Sequence, residues 1–152
     1  MKYTDQERRL LEEMQRDAGA SLAELADRAG MATSTAWRKV QEFERAGLIT
    51  GRAVLLDPAK VGARLCIFAT VRLADHSEEA INGFARIVSS HPEVMEAHAI
   101  SGTADYMLKI RCSDVEAYEQ FMSHNLLRTP FVKSVVSSFS LRQLKYTTAL
   151  PL

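Results

Sequence analysis

Four polar side chains recur on one face of a short segment in the first third of the chain. They are Ser34, Arg38, Gln41 and Arg45. At 100° per residue they fall within one sector of a helix, opposite its apolar side chains. Hydroxyl, guanidinium and amide groups donate hydrogen bonds to phosphates and base edges, so such a helix suits the major groove of DNA. The alternative is an ordinary surface helix with a solvated polar face, and periodicity alone leaves both readings open.

A second set of residues has the chemistry to bind a zwitterion. Gly102, Thr103, Ala104 and Asp105 follow one another in a turn. Glycine lets a ligand approach the backbone closely, so the nearby amide N–H groups suit a carboxylate, while the Asp105 side chain suits an ammonium group. Together they fit an amino acid. The alternative is a plain β-turn, in which Asp is favoured because its side chain bonds to the local backbone.

Two helices joined by a glycine turn must position the first set. Ser21 and Glu24 form an S-x-x-E capping box at the start of the first of these helices, and Gly30 ends it. Another helix, over residues 4–17, precedes them and begins with a capping box of its own. The apolar stripes are Leu22, Leu25, Ala26 and Ala29 in one helix and Ala36, Val40, Phe43 and Gly47 in the next. This combination predicts a helix-turn-helix.

The second helix of the pair carries two further expectations. Thr33 is the expected N-cap, because its hydroxyl is the kind of group that accepts from the first free amides of a helix. Trp37 lies on the flank of the helix, next to the apolar sector, so we expect it to pack rather than to stack on DNA. Basic residues modestly outnumber acidic ones between residues 32 and 52, which predicts salt-sensitive binding that is weak for each protomer.

After residue 47 the pattern changes from helical to extended. Residues 49–56 alternate loosely and predict a linker strand, which Asp57-Pro58 ends. The elements that follow are a strand (64–73), a helix (77–90), two strands (94–101 and 106–112), a helix (114–127) and a strand (132–141). This β-α-β-β-α-β order is the ferredoxin-like plan. Ser113 and Glu116 supply a capping box for its second helix.

The ferredoxin-like plan leaves one face of the sheet without helices. That face includes parts of the apolar runs LCIFATVRL and FVKSVVSSFSL. An apolar face of this size needs a cover, and a second copy of the same sheet is the economical one. We therefore expect a homodimer formed through the C-terminal half.

Composition indicates a globular protein with balanced charge. The 152 residues are 47% hydrophobic, with 19 basic and 19 acidic side chains, so DNA affinity must come from local arrangement. We expect a cytoplasmic protein, because no apolar run approaches the about 18 residues of a membrane span. Cys66 and Cys112 lie in apolar runs without C-x-x-C spacing, which favours reduced, buried thiols over a disulfide or metal site. A redox-sensing role for Cys112 is the alternative.

The ordered set of motifs resembles the Lrp/AsnC, or feast/famine, family of bacterial and archaeal transcriptional regulators over essentially the whole chain. SLAELADRAG followed by AWRKVQEFERAGLITG resembles the family's helix-turn-helix, and LLDPAKVG resembles its linker. SGTADYMLKIRCSD is similar to the turn that shapes its effector site. The ending SSFSLRQLKYTTALPL is similar to that of a subgroup that includes a cysteine-responsive regulator.

The resemblance implies an α+β protein with a winged-helix-like helix-turn-helix domain (1–50), a linker strand (51–63) and a ferredoxin-like domain for effector binding and oligomerisation (64–152). It implies a nucleoid-associated regulator that binds double-stranded operator DNA and a small effector, most often an amino acid. It also implies homodimers that assemble into tetramers or octamers. It implies no catalytic residue, metal or cofactor.

The resemblance also carries candidate site residues. Its recognition helix gives Thr33, Ser34, Thr35, Arg38 and Lys39 as DNA-facing, to which the helical pattern adds Gln41 and Arg45. Its effector site gives Gly102, Thr103, Ala104, Asp105, Tyr106, Val115, Ser138 and Phe139. The chain departs from the family in the turn, where Thr103 replaces a frequent acidic residue, and at the start of the recognition helix, where Ala32-Thr33 replaces a frequent Ser-Pro pair.

The sequence therefore favours a sequence-specific regulator whose DNA affinity or assembly an amino acid modulates. One alternative is an architectural protein that coats DNA with little sequence preference. Another is an enzyme, because siroheme decarboxylases share this two-part architecture; His98 and His124 would then be the candidate proton donors.

Overall fold

A computed structural model describes residues 3–152 of the chain. The contacts divide it into two compact units, one containing the residues up to Val54 together with Leu144–Leu152, and the other containing Leu55–Gln143. We call them the helical unit and the sheet unit. Residues 144–152 were expected in the C-terminal domain, whereas their contacts group them with the N-terminal helices.

Three helices build the helical unit. They are α1 (Asp5–Arg16), α2 (Leu22–Ala29) and α3 (Thr33–Arg45). Thr4 caps α1 and Ser21 caps α2, and in both cases the third helical residue, a glutamate, bonds back to the cap, so the two predicted capping boxes are confirmed. Gly30 ends α2 at φ 69°, a left-handed conformation that favours glycine.

The helical unit has a single apolar centre to which each helix contributes. Its buried members are Leu10, Leu11, Leu25, Ala26, Ala29, Ala36, Val40 and Phe43. In α2 and α3 these are positions that the helical periodicity assigned to the inner faces. The packing fixes which side of α3 remains outside.

Two expectations for α3 are wrong. The helix begins at Thr33, its N-cap is Ala32 in an extended conformation, and no side chain caps it. The Trp37 side chain does not pack into the centre, since 58% of it is exposed. Smaller residues fill the available space behind α3, and the flank position of Trp37 leaves the indole outside.

Residues 144–152 contact α1 through its last turn. The Gln15 side-chain amide donates to the Leu150 carbonyl oxygen (3.2 Å), and the Gln15 Oε1 accepts from the Leu150 backbone N–H (2.6 Å). A side-chain amide that satisfies both groups of one peptide residue holds the segment in a fixed register. No sequence pattern indicated this pair.

The sheet unit has the predicted β-α-β-β-α-β order. Its elements are β1 (Leu65–Leu73), α4 (Glu78–Ser90), β2 (Val94–Ala99), β3 (Tyr106–Cys112), α5 (Val115–Phe121) and β4 (Val132–Phe139). The four strands pair antiparallel in the order β2-β3-β1-β4. The expected fold class, an N-terminal helix-turn-helix followed by a ferredoxin-like domain, is confirmed.

Alternate residues of β1 point to opposite sides of the sheet. Ile67, Ala69, Val71 and Leu73 are buried among the side chains of α4 and α5. The opposite side, which we call the open face, exposes apolar side chains from three strands: Phe68, Met107 and Val136 are 41%, 38% and 64% exposed.

The linker and the second helix differ from prediction. Residues 49–56 form no strand, because no strand of the described chain offers their backbone a hydrogen-bonding partner. Asp114, and not Ser113, caps α5: its carboxylate accepts from the Ala117 N–H at 2.9 Å. The helix then changes to a π-helical turn over Met122–Leu126.

Candidate functional site

The outer side of α3 presents the first set of predicted residues to solvent. Thr33, Ser34 and Arg38 are exposed, whereas Thr35 is only half-exposed. Within residues 3–152 the Arg38 guanidinium has no hydrogen-bond or ion-pair partner, so its five donors are available to an external acceptor. Because the helix packs by its opposite side, these groups stand out from the unit.

Farther along α3 the predicted residues are partly engaged. The Arg45 Nε donates to the Gln41 carbonyl oxygen at 3.2 Å, and the Gln41 amide donates to Glu44 at 3.3 Å. Arg45 is exposed and keeps its terminal guanidinium nitrogens free of these bonds. The outer side of α3 is therefore most open near its N-terminal end.

Lys39 points to α1 rather than away from the unit. Its ammonium lies 2.6 Å from Glu7 and 3.1 Å from Glu42, and its side chain is only 21% exposed. The hydrogen bond with Lys39 lowers the pKa of Glu7, and the same bond raises the pKa of Lys39. A phosphate would have to compete with two carboxylates for this ammonium, so Lys39 serves first to hold α3 against α1.

The second set of residues lies in the turn between β2 and β3. Gly102 has φ 122°, which favours glycine there. The Arg72 Nε donates to the Thr103 carbonyl oxygen at 2.6 Å, and the Asp105 N–H donates to the Val71 carbonyl oxygen at 2.9 Å. The turn is thus fastened by its backbone to the end of β1.

The Asp105 carboxylate is already engaged within the protein. Its Oδ2 accepts from the Leu73 backbone N–H and its Oδ1 lies against the His76 Nε2, both at 2.8 Å. The hydrogen bonds from His76 and then from Leu73, with the charges of His76 and Arg72, lower the pKa of Asp105. The side chain therefore holds the turn against Leu73 and His76 rather than bonding to the turn's own backbone, and an ammonium group would have to share its remaining lone pairs.

Sequence reasoning missed His76 as a member of this site. The ring lies beside Asp105 although 29 positions separate the two residues, and its neighbours show no motif. Only the pairing of β1 with β3, which brings Val71 opposite Tyr106, places the two together. Only a prediction of the register between β1 and β3 could have placed His76 beside Asp105.

The eight predicted effector residues form two groups within one chain. Gly102, Thr103, Ala104, Asp105 and Tyr106 lie at the end of β1, whereas Val115, Ser138 and Phe139 lie near its start. Phe139 pairs with Ile67, and the turn bonds to Val71, so about 13 Å of strand separate the groups at 3.3 Å per residue. One chain does not bring all eight together.

Members of these two groups differ in what they touch. The Tyr106 ring packs on Phe84, 4.7 Å between centroids, and so belongs to the wall behind the turn. Phe139, 43% exposed, meets Tyr118 edge-on at 5.7 Å. Val115 and Ser138 are exposed. Successive strand residues point to opposite faces, so Ser138, opposite Phe68, lies on the open face, whereas Phe139, opposite Ile67, lies on the helix side.

Groups that would support other chemistry are dispersed. His98 is exposed on β2 beside Glu96, and His124 caps the carbonyl of Gln120 in the π-helical turn. Burial raises the pKa of the Cys112 thiol, which opposes thiolate formation. Residues 3–152 contain no cluster of three or more His, Cys, Asp or Glu side chains placed to hold a metal ion. None of the described helices has the length and apolarity needed to cross a membrane.

Comparison with known proteins covers both units. Residues 66–150 match the family model of the Lrp/AsnC ligand binding domain, and residues 4–50 match that of a winged helix-turn-helix DNA-binding domain. The glutamate uptake regulatory protein of Zymomonas mobilis is 34% identical over 99% of this chain and 92% of its own. An AsnC family transcriptional regulator from Agrobacterium tumefaciens superposes with a TM-score of 0.92 at 36% identity, covering 98% of this chain and 97% of its own.

A further solved structure was determined with a ligand. It is a transcriptional regulator from Neisseria meningitidis in complex with L-Met, with a TM-score of 0.95 and 30% identity over 99% of this chain and 97% of its own. These similarities extend over both units rather than over one alone.

Proposed function

We propose, for a chain that belongs to the Lrp/AsnC family, that an amino acid bound to the sheet unit changes how the helical unit binds operator DNA. As a member of that family the chain is a DNA-binding transcriptional regulator with an amino-acid ligand-binding domain. The observation that carries the proposal is the outer side of α3, where Arg38 stands exposed without an internal partner beside Ser34. It acts, we propose, in the cytoplasm at the nucleoid.

The proposed DNA contacts begin with the N-terminal half of α3. Thr33, Ser34 and Arg38 supply donors to base edges and phosphates, and Arg45 extends the positive surface along the helix. Gln41 and Thr35 take part as secondary contacts because they are half-buried. Lys39 contacts a phosphate only when its ammonium leaves Glu7 and Glu42.

The proposed effector site combines groups from two copies of the chain. The backbone amides at the turn suit the effector's carboxylate, and Phe139 and Val115 suit its side chain. Because these groups lie about 13 Å apart along β1 in one chain, the turn of one copy and the surface around Phe139 of another would complete the site together. Effector binding would then be linked to assembly.

Assembly begins, we propose, with a homodimer through the open face, followed by tetramers or octamers. Thr70 of β1 pairs with both Met107 and Val136, so a row with an apolar side chain on either side of Thr70 crosses three strands of that face. A row of this kind on a face without helices is typical of a buried interface. The same face of a second copy, related by two-fold symmetry, would bury this row.

The test is a fluorescence-anisotropy titration of duplex DNA from upstream of the protein's own gene against random duplex, at one fixed salt concentration. Each amino acid is added in turn. We expect preferential binding of the upstream duplex and a change of its dissociation constant with one amino acid, and the DNA should change that amino acid's affinity by the same factor. Equal binding of both duplexes would instead support the architectural role.

The solved relatives from Agrobacterium tumefaciens and Neisseria meningitidis are transcriptional regulators, and we propose that this chain likewise catalyses no reaction. The candidate proton donors of the enzyme alternative lie on separate elements, His98 on the edge strand β2 and His124 in the π-helical turn. Purified protein that is colourless and leaves the absorption spectrum of an added tetrapyrrole unchanged is the expected result. A shifted spectrum would revive the decarboxylase alternative.

A further inference from the structure

The most exposed large apolar side chain on the three helices of the helical unit is Trp37, on the outer flank of α3. It is 58% exposed. A single exposed aromatic residue is common and indicates nothing by itself. Its position is informative, because three positions before it stands Ser34 and directly after it stands Arg38, two exposed polar residues in the N-terminal half of the helix.

The packing of α3 shows that the indole is not needed inside. Ala36, Val40 and Phe43 are each 6% exposed or less and complete the apolar face of the helix. Trp37 lies about 100° around the helix from Ala36, and its side chain stays outside that face. The ring therefore remains outside in the protein without DNA.

Position along α3 decides what the ring can meet. In helix-turn-helix proteins the N-terminal residues of the second helix contact base edges in the major groove. Trp37 is in the second turn of α3, which begins at Thr33. The guanidinium of Arg38, without an internal partner, attracts the phosphates or guanine edges beside the same groove.

We propose that Trp37 is a DNA-contacting residue that packs its indole on the 5-methyl group of a thymine in the major groove. The thymine methyl is the one apolar group on the major-groove edge, and apolar side chains recognise it by contact. Arg38 and Ser34 would then fix the register, and Trp37 would add sequence preference. The inference rests on the proposed DNA-binding face, since it needs α3 to enter the groove.

The chain offers a direct probe, because Trp37 is its only tryptophan. The fluorescence of the unlabelled protein therefore reports on this one position. The duplex should be the consensus that the wild-type protein selects from a randomised pool. We expect this duplex to quench or blue-shift the emission and to protect the indole from acrylamide, with the same midpoint as an independent anisotropy titration.

The methyl contact is tested by a cycle of two changes. Replacing each thymine of the selected duplex in turn by deoxyuridine removes only the methyl group, and at one position this should weaken wild-type binding about fourfold, the ratio for one buried methyl. Trp37→Ala should weaken binding to the thymine duplex and remove the difference between thymine and deoxyuridine. Trp37→Phe should retain part of the difference between thymine and deoxyuridine, because a smaller aromatic ring remains at the same position.

Two control variants separate the explanations. Leu48→Ala trims another exposed apolar side chain of the same unit, beyond the end of α3, and should leave the deoxyuridine effect unchanged. Arg38→Ala should weaken binding yet keep the fourfold effect, because it removes a different contact.

Three results would overturn the inference or its basis. A deoxyuridine effect of equal size in wild type and Trp37→Ala would exclude the methyl contact while leaving the DNA-binding function intact. Acrylamide protection that rises with protein concentration in the absence of DNA would assign the indole to contact between copies instead. Failure to select any consensus would refute sequence-specific binding itself, a different failure from the first two.

Discussion

Substitution of Gly83 by alanine tests the packing of the sheet unit. We expect it to lower the free energy of unfolding, whereas helix propensity alone would raise it. Gly83 lies within α4, and its Cα faces the ring of Phe131, which precedes β4. A Cβ at this position would lie no more than 2.6 Å from three carbons of that ring. Real Cβ contacts are not shorter than about 3.0 Å, so the ring or the helix must move.

The magnitude follows from two opposing effects. In the interior of a helix, Gly→Ala ordinarily stabilises a protein by about 1 kcal/mol. Overpacking of a fitted contact costs about 1–3 kcal/mol. We therefore expect Gly83→Ala to lower the free energy of unfolding by up to about 2 kcal/mol. In a Phe131→Ala background the clash is gone, and the same change should stabilise by about 1 kcal/mol.

The assay is urea unfolding followed by two signals at one protein concentration, because assembly makes stability concentration-dependent. Far-UV circular dichroism reports on both units, whereas Trp37 fluorescence reports on the helical unit alone. Gly83→Ala should lower the midpoint of the dichroism transition of the sheet unit more than that of the fluorescence transition. Stabilisation by Gly83→Ala with Phe131 intact, or no change of sign in the Phe131→Ala background, would refute the reasoning.

Three further predictions concern DNA, the turn and the C-terminal segment. Arg38→Ala should cost about 1–3 kcal/mol at the selected site if the guanidinium reads a base, and should lower the slope of log K against log salt by about 1 if it meets a phosphate, which anisotropy at several salt concentrations distinguishes. Asp105→Asn should lower the melting temperature and effector affinity at neutral pH. Because His76 lowers the pKa of Asp105, the Asp105 carboxylate stabilises the fold fully above its unfolded-state pKa of about 3.9. That contribution is lost as the pH falls through the lower folded-state pKa, so the stabilities of variant and wild type should converge in acid. A difference in stability that does not change with pH would contradict this. Gln15→Leu should release the segment around Leu150 to limited proteolysis, with Glu12→Ala on the same helix as the control; equal protection in both variants would show that the amide pair does not hold it.

Most elements were predictable because their signals are local. A cap and its glutamate lie three positions apart, so the boxes at Thr4 and Ser21 are readable, and the strand and helix order follows from changes in period. Ala32 was missed because the cap of α3 uses backbone alone. Asp114 was missed because Ser113 beside it completes the same pattern.

The unpredicted parts of the candidate sites depend on contacts between distant positions. Lys39 matches a DNA-facing position of the family's recognition helix, but its ammonium pairs with Glu7 on another helix. The pairing of Asp105 with His76 follows from strand register, which the sequence does not specify. The division of the effector residues into two groups follows from the sheet order, and the same order suggests that one chain supplies only half of each site.

Pairing of β1 with β4 also lowers the entropic cost of the later contact between Gln15 and Leu150 during folding. Phe139 at the end of β4 pairs with Ile67 near the start of β1, so the chain leaves the sheet beside the point where it entered. In an unfolded chain the contact of Gln15 with Leu150 closes a loop of 135 residues. Once β1 and β4 have paired, the free chain in that loop falls to about half, and each halving lowers the entropic cost of closure by about 0.6 kcal/mol. The contact should therefore form after the sheet, and a defect in β1–β4 pairing should delay it although no residue of the helical unit has changed.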